Sequence, residues 1–251
     1  MSLVKKIIVN PRGTLRLGQA ALDTFWTSSR VVRNVHNQNR SPVDPKVMGM
    51  IQQWAKRLCK TLKIEVEVEG ERMNQAGIFI GNHMSYVDIP VLKSLKATSF
   101  VAKDEIRDWP FFGKAGEAFG AIYIDRSSQD SRAATAEALK KAIQEDGREI
   151  VVFPGGTTSL YEKDWRPGAF KLAQEIGCPV QFFTIAYNPG PVVAFEVDSM
   201  IEHCFRMLRE KRIKAKVHFA EPVVIENWEE AFPRWEKWNK ELIKKELQQQ
   251  N

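Results

Sequence analysis

The chain has 251 residues and a mass of 28.7 kDa; 43% of its residues are hydrophobic and 27% are charged. This composition excludes an intrinsically disordered chain, and the length predicts one α/β domain with at most a modest appendage. The net charge of +6 is unevenly distributed, because residues 1–63 contain 12 basic and 2 acidic side chains whereas residues 64–251 contain 25 and 29. A basic N-terminal quarter predicts a polyanionic partner, either nucleic acid or an anionic lipid surface.

The sequence lacks the usual signals of secretion and of membrane insertion. The N-terminal segment has neither an apolar core nor a small-residue cleavage site, so no signal peptide is predicted. The longest uncharged run, residues 176–195, is interrupted by prolines and predicts two strands and a turn rather than a spanning helix. The three cysteines are scattered without a metal-binding spacing, which indicates reduced thiols.

Two amphipathic helices are predicted at the basic end of the chain. The first spans residues 14–35 and the second spans 46–63, and the polar, proline-containing segment 36–45 separates them. Each helix has one apolar face, and basic side chains occupy its other sides. Residues 1–63 are therefore predicted to form a basic amphipathic helical hairpin.

The pattern changes at residue 64, where isoleucine and valine alternate with glutamate over 64–69, as in a half-buried strand. Short apolar runs predict further strands over 78–80, 99–102, 121–124, 150–153, 180–186, 192–197 and 214–220. Helices are predicted over 128–146, 168–177 and 228–249. This alternation predicts the α/β class, with a mixed sheet flanked by helices in residues 64–251 and the hairpin in front of it.

The segment after the predicted strand 78–80 is the most informative. A glycine ends the strand, and the polar residues Asn82, His83, Ser85 and Asp88 follow it. In a tight turn, a carboxylate five residues after a histidine can bond one ring nitrogen and leave the other as a general base. This is the His–Asp half of a charge-relay site without a serine nucleophile, so the base is predicted to act on a hydroxyl of the substrate. The alternative is a loop histidine that Asp88 merely satisfies, but a strand end in an α/β protein favours function.

Two further segments complete a pattern with this turn. The first, residues 100–126, contains Lys103 and Arg126, and the second, residues 153–159, reads Phe-Pro-Gly-Gly-Thr-Thr-Ser. A strand opened by a proline follows them. In order and in spacing, the turn after residue 81, these two segments and the proline-opened strand resemble the four motifs of the glycerolipid acyltransferase family, which includes the 1-acylglycerol-3-phosphate acyltransferases. Residues 153–159 resemble the third motif. The resemblance extends over residues 64–225.

The resemblance implies a reaction in which an acyl group moves from a thioester of coenzyme A or of acyl carrier protein to a lipid hydroxyl. His83 would deprotonate the acceptor hydroxyl, Asp88 would orient His83, and backbone N–H groups around residues 155–157 would stabilise the oxyanion. No metal or redox cofactor is expected. The residues expected to bind substrate are Asn82, Ser85, Lys103, Arg126, Gly155, Gly156, Thr157, Thr158 and Ser159.

The third motif departs from the family pattern at two positions. Gly155 replaces the usual glutamate and Thr158 replaces the common arginine, which is thought to help hold the phosphate of the acceptor. A threonine cannot form a charged bidentate contact. The simplest acceptor is 1-acylglycerol-3-phosphate, which would yield phosphatidic acid, and the alternatives are a lyso-ornithine lipid or another lysolipid. A non-catalytic lipid-binding paralogue is the alternative outside the enzyme class.

A lysolipid acceptor lies in a bilayer, so the basic hairpin is predicted to dock the enzyme on an anionic membrane surface. The expected location is the cytoplasmic face of the cell membrane, as a peripheral or monotopic protein. Nucleic acid is not an expected partner, because no recognisable binding module accompanies the charge. The alternative is a hairpin that packs on the core and whose charges are merely solvated. The predicted membrane-binding residues are Leu15, Leu22, Phe25, Trp26, Trp54, Arg30, Arg33, Lys56, Arg57 and Lys60.

Overall fold

The structure of the protein is a computed structural model. It describes residues 10–96, 98–104, 107, 112–124, 129–196 and 199–249. The strands, in chain order, are β1 Ile64–Glu69, β2 Gly77–Gly81, β3 Ser99–Lys103, β4 Ala121–Ile124, β5 Glu149–Val152, β6 Pro179–Asn188, β7 Ile213–Phe219 and β8 Val223–Val224. The helices are α1 Pro11–Val32, α2 Pro45–Leu62, α3 Asp88–Leu95, α4 Phe112–Ala118, α5 Gln129–Gln144, α6 Gly168–Ile176, α7 Gly190–Val193, α8 Met200–Met207 and α9 Trp228–Gln248.

Within the described residues the strands form one eight-stranded sheet of order β1-β7-β6-β2-β5-β3-β4, and β8 pairs with β6. The pairs β1–β7, β2–β6, β2–β5, β3–β5 and β3–β4 are parallel, whereas β7 and β8 both run antiparallel to β6. The predicted mixed α/β sheet with an N-terminal helix pair is therefore confirmed.

The core lies on both faces of the sheet, as the central strand β2 shows. All five residues of β2 are buried. Ile78 and Ile80 pack on one face with residues of α5 and α6, whereas Phe79 packs on the other face with residues of α2 and α3. A strand buried on both faces reads as a continuous apolar run, as residues 78–80 do.

The second helix of the hairpin is part of the core. The N-cap Asp44 accepts a hydrogen bond from the N–H of Lys46, and Lys63 ends the helix in the left-handed conformation. Gln52 donates its amide hydrogens to the last carbonyls of α3, those of Ser94 (3.2 Å) and Leu95 (2.7 Å). The buried residues of α2 are Val47, Ile51, Trp54, Ala55, Cys59 and Leu62.

Trp54, a predicted membrane-binding residue, lies inside this packing. Its side chain is 8% exposed, its indole N–H donates to the hydroxyl of Thr24 at 3.0 Å, and its ring packs edge-to-face on Phe119 at 5.1 Å. Arg57 is also engaged within the hairpin, because its guanidinium pairs with Asp23 on α1 at 2.9 Å. The structure thus revises the interpretation of Trp54, whose apolar ring holds α1 and α2 together.

The large apolar residues of α1 point outward. Leu15 is 74%, Leu22 62%, Phe25 49% and Trp26 63% exposed, while α1 packs through smaller residues such as Ala20. The predicted apolar face of this helix is therefore the exposed face. Of the remaining predicted membrane-binding residues, the structure exposes Arg30, Arg33, Lys56 and Lys60. None of the helices in the described part of the chain is long and apolar enough to cross a membrane.

The strand predicted over 192–197 does not form in the described part of that segment. The chain leaves the sheet after Asn188, turns through α7, and continues across the ends of the strands. There the N–H of Phe195 donates to the carbonyl of Met84 at 2.9 Å, and Phe195 also accepts a hydrogen bond from the Thr158 hydroxyl. The backbone of this segment bonds to two loops rather than to a neighbouring strand.

Candidate active site

Two loops meet where neighbouring parallel strands end. The strand β2 ends at Gly81 and leads to His83, and the adjacent strand β5 ends at Val152 and leads to Phe153. The carbonyl of His83 accepts a hydrogen bond from the N–H of Ser159 at 2.9 Å, which joins the loops. The carboxyl ends of parallel strands are where α/β proteins place their sites.

The structure brings together the predicted pair His83 and Asp88. Nδ1 of His83 lies 2.7 Å from Oδ2 of Asp88. The Asp88 side chain is fully buried, while 18% of the His83 side chain is exposed. Nε2 makes no hydrogen bond with any residue that the structure describes. The pair therefore has the geometry of an oriented histidine with one ring nitrogen left for a substrate.

Asp88 receives three further hydrogen bonds. The N–H groups of Met84 and Ser85 donate to Oδ2 at 2.8 and 3.0 Å, and the hydroxyl of Tyr187 on β6 donates to Oδ1 at 2.7 Å. Burial and the neighbouring Asp88 carboxylate raise the pKa of Tyr187 well above its ordinary value, so its hydroxyl keeps its proton. A carboxylate only accepts hydrogen bonds, so in the neutral imidazole this contact requires the tautomer with the proton on Nδ1 and the lone pair on Nε2.

The ring of His83 is also held from one face. It stacks on Phe153 with a centroid separation of 4.0 Å and an interplanar angle of 6°. Phe153 in turn packs against Phe100 on β3 at 5.9 Å and against Phe183 on β6 at 6.2 Å. The first residue of the third motif thus supports the imidazole, and rings from two strands support Phe153.

The other residues of the third motif differ in what they leave available for a ligand. The hydroxyl of Thr158 donates to the carbonyl of Phe195, and the hydroxyl of Ser159 donates to Glu196 at 3.1 Å. Thr157 is exposed. Gly156 has a φ of +72°, and its N–H donates to the carbonyl of Phe153 at 3.1 Å. Of the three predicted oxyanion donors, the N–H groups of Gly155 and Thr157 are the ones without such a bond among the described residues.

Asn82 and Ser85 are fully buried beside this loop. Both polar groups of the Asn82 side chain are bonded to the backbone of Ile185 on β6, each at 2.8 Å. We therefore now expect Asn82 to hold the loop on the sheet. The Ser85 hydroxyl oxygen has no hydrogen-bond partner in the described structure. The side chain of Lys103 and the whole of Arg126 lie outside the described residues, so the anion-binding role expected for both stays a prediction.

Glu162 is a further acidic residue at this site, seven positions after Gly155. Its Oε2 lies 3.4 Å from the N–H of His83, and its Oε1 accepts a hydrogen bond from the indole N–H of Trp165 at 2.7 Å. Burial raises the pKa of Glu162 to about 8. Among ionisable neighbours, Asp88 raises this pKa further and Lys240 lowers it.

Sequence reasoning missed three residues that touch the His–Asp pair. Tyr187 is 99 residues from Asp88, Phe153 is 70 residues from His83, and Glu162 contacts His83 only through folding. A tyrosine in the largely apolar strand β6 is a weak signal of a buried hydroxyl that requires a partner. Nothing in the sequence distinguishes Glu162 from a surface glutamate.

Comparisons with known proteins find relatives that are named acyltransferases. A family model described as Acyltransferase matches residues 63–186. The chain is 32% identical over 188 residues to the lyso-ornithine lipid O-acyltransferase of Pseudomonas aeruginosa, covering 72% of each protein. It is 31% identical over 108 residues to a 1-acyl-sn-glycerol-3-phosphate acyltransferase of Neisseria gonorrhoeae, covering 42% of each.

A solved structure shares the fold. The crystal structure of the 1-acyl-sn-glycerophosphate acyltransferase PlsC of Thermotoga maritima superposes with a TM-score of 0.60 at 19% identity, over 92% of this chain and 97% of that one. The family match spans the strands that carry both loops of the site, and the Pseudomonas relative aligns over most of its own length. The chain therefore belongs to the glycerolipid acyltransferase family and is an acyltransferase.

Proposed function

We propose that this enzyme transfers an acyl group from acyl-CoA or acyl carrier protein to the hydroxyl of a lysolipid at a membrane surface. The observation that carries the proposal is the 2.7 Å contact between Nδ1 of His83 and the buried carboxylate of Asp88. It leaves Nε2 as a base of fixed orientation on a partly exposed ring. This arrangement supports the proposed roles of His83 as the catalytic base and of Asp88 as the carboxylate that orients it.

The steps require no residue as a nucleophile. Nε2 of His83 accepts the proton of the acceptor hydroxyl as its oxygen forms a bond to the thioester carbonyl carbon. The N–H groups of Gly155 and Thr157 are the donors proposed for the oxyanion. When the intermediate collapses, the carbon–sulfur bond breaks and the imidazolium returns its proton to the leaving thiolate. The products are an ester and a free thiol, and His83 is regenerated.

We favour an amino-acid-containing lysolipid, such as a lyso-ornithine lipid, over 1-acylglycerol-3-phosphate as the acceptor. Thr158 replaces the arginine that is common in the family, and its hydroxyl is already bonded to the carbonyl of Phe195. It therefore offers neither a charge nor a free donor to a phosphate. The activity for which the Pseudomonas relative is named supports the same preference.

The exposed apolar residues of α1 support docking on a membrane. Isolated exposed apolar residues are common, but four large ones on one helix with basic residues beside them suit an interfacial helix. The proposed location is the cytoplasmic face of the cell membrane, where coenzyme A and acyl carrier protein thioesters are found.

The test is acyl transfer from labelled acyl-CoA and acyl carrier protein to a panel of lysolipids presented in vesicles. We expect turnover with wild type, a preference for lyso-ornithine lipid over 1-acylglycerol-3-phosphate, and a loss of at least about 1000-fold in His83→Ala. Equal product from wild type and His83→Ala would exclude the mechanism. Lipid binding without turnover from any donor to any acceptor in the panel would contradict the proposed donors and acceptors.

A further inference from the structure

The carboxyl group of Glu162 lies between the two loops of the site. Its Oε2 faces the N–H of His83 at 3.4 Å, at the junction of β2 and the loop that carries the imidazole. Its Oε1 is fixed by the indole N–H of Trp165 at 2.7 Å. The same carboxyl group therefore contacts the backbone of the proposed base and an anchor on its own loop.

The segment that carries Glu162 is itself tied down. The N–H of Trp165 donates to Glu236 on α9 at 2.8 Å, and the N–H of Arg166 donates to the carbonyl of Pro154 at 3.2 Å. Trp165 is 5% exposed, and its ring packs on Phe170. These contacts hold the segment beside the third motif and thereby fix the position of the Glu162 side chain next to the backbone of His83.

Gly155 provides the space for this carboxyl group. A Cβ atom at residue 155 would lie 2.7 Å from Oε1 of Glu162, which is closer than such contacts occur in proteins. Any side chain at 155 would therefore displace the Glu162 carboxyl group. Gly155 stands where the family usually has a glutamate. The carboxyl group of Glu162 occupies the space that a side chain at residue 155 would need.

We infer that Glu162 is a positioning residue of the acyltransferase site. Its carboxyl group fixes the His83 loop, and Gly155 leaves the space that this carboxyl group needs. The kinetic test of this inference rests on the proposed function, because it measures acyl transfer. Burial of this partly exposed side chain raises its pKa to about 8. The ionisable side chains that act on this pKa are Asp88 and Lys240, the latter on α9, and the backbone N–H of His83 also donates to the carboxyl group.

The kinetic test compares Glu162→Ala, Glu162→Gln, Gly155→Ala and the double variant Gly155→Ala/Glu162→Ala. We expect Glu162→Ala and Gly155→Ala each to lower kcat by about 10-fold or more with KM changed less than about threefold. The double variant should lose no more than Glu162→Ala alone, because the atom that Cβ displaces is gone. Glu162→Gln keeps one acceptor oxygen for the two donors, the indole N–H of Trp165 and the N–H of His83, and should therefore lose less kcat than Glu162→Ala. Losses that multiply in the double variant, or a wild-type kcat in Glu162→Ala, would overturn the inference.

Asp164→Asn is the matched control, because Asp164 is a neighbouring acid whose side chain is exposed and pairs with Lys240 rather than with the His83 loop. It should leave kcat within about twofold. Melting temperatures of all variants identify those that fail to fold.

A second measurement separates this inference from the proposed function. In NMR spectra of the whole protein, the signal of the His83 backbone N–H, which contacts Oε2 of Glu162, should shift with a midpoint near pH 8 in wild type and not in Glu162→Gln. That result would support the positioning role even if no acceptor were turned over, in which case the proposed function alone would fail. An unchanged titration in Glu162→Gln would contradict the positioning role whether or not the enzyme is active.

Discussion

Tyr187 is the residue whose removal tests the environment of Asp88 without touching the His83 contact. Its buried hydroxyl donates to Oδ1 of Asp88 at 2.7 Å. Tyr187→Phe removes that donor and leaves one oxygen of a buried carboxylate short of a partner, so we expect the protein to lose about 1–3 kcal/mol of stability. The imidazolium is also less well oriented, and kcat should fall about 10-fold. Thermal unfolding and steady-state kinetics measure the two effects.

Tyr86→Phe is the control for this substitution. The hydroxyl of Tyr86 bonds Nδ1 of the buried His203 at 2.8 Å and the thiol of Cys204 at 3.1 Å, and not Asp88. Its loss should lower stability by a similar amount while kcat stays within about threefold. If both variants lost kcat equally, the effect of Tyr187→Phe would reflect general loosening rather than its bond to Asp88.

The raised pKa of Glu162 predicts that the free energy of unfolding depends on pH, which can be tested without an activity assay. Its pKa is ordinary in the unfolded chain and about 8 in the folded protein, so the folded state binds the proton more tightly. The stabilisation is complete below the unfolded pKa and is lost as the pH rises towards 8. Between pH 6 and pH 8, wild type should lose on the order of 2 kcal/mol that Glu162→Gln retains. Denaturant unfolding at both pH values measures this; parallel losses in the two proteins would contradict it.

The helix α1 and the helix α2 are similar in sequence pattern but differ in what they do. The apolar face of α2 is buried against α3 and the sheet, whereas α1 packs through its small residues and exposes its large apolar ones. The spacing of apolar residues along a helix identifies an apolar face but not the partner of that face, so Leu22 and Trp54 received the same prediction from the sequence. Tertiary packing separates them.

We predict that the exposed face of α1 drives membrane binding. The double variant Leu22→Ser/Trp26→Ser removes two side chains that are 62% and 63% exposed, so the fold should survive. Each should contribute roughly 1–2 kcal/mol if it inserts, and the partition coefficient should fall at least about 30-fold. Co-sedimentation with phosphatidylglycerol vesicles measures the change.

Val224→Ser is the matched control for this double variant. Val224 is an apolar residue that is 57% exposed on β8, which pairs with β6 and is not part of the hairpin. Its substitution should leave vesicle binding unchanged. Undiminished sedimentation of the α1 double variant would show that the enzyme reaches lipid by another surface.

The site and the fold were predictable to different degrees, for physical reasons that particular residues illustrate. His83 and Asp88 lie five residues apart on one turn, so their contact is local and the sequence predicts it. The contacts of Asp88 with Tyr187 and of His83 with Glu162 depend on which strands are neighbours. Strand neighbours could not be read from the chain. The segment 192–197 had the composition of a strand, but its backbone found partners in the loops of the site instead.

Across the whole molecule, the hairpin is basic, whereas basic side chains at β7 in the rest of the chain are paired with acidic side chains. Three basic side chains at or before β7 pair with the glutamates of β1 that alternate with its apolar residues. Exposed pairs of this kind contribute little to stability, but they remove net charge from that edge of the sheet. The paired residues are Arg212 with Glu65, Lys214 with Glu67 and Lys216 with Glu69.

The boundary predicted at residue 63 separates these charges, but the hydrophobic core crosses it. Cys59 and Leu62 of α2 belong to the same buried cluster as Val91 and Leu92 of α3 and Ile213 of β7. A fragment that begins at residue 64 would expose this cluster to water and would lose the bonds from Gln52 to the end of α3. The hairpin is therefore expected to be both a membrane-docking element and a structural one.

We predict that the fragment 64–251 does not fold as a stable unit. Removal of α2 withdraws six buried apolar side chains, of which Cys59 and Leu62 belong to the core cluster of the sheet. At on the order of 1–3 kcal/mol each, their sum is comparable with the whole stability of a typical domain. The fragment should be recovered aggregated or without a cooperative thermal transition, whereas full-length Leu22→Ser/Trp26→Ser should melt near wild type. A fragment that unfolds cooperatively close to the wild-type temperature would instead establish residues 64–251 as an independent domain. Circular dichroism melting and size-exclusion chromatography of both proteins decide between these outcomes.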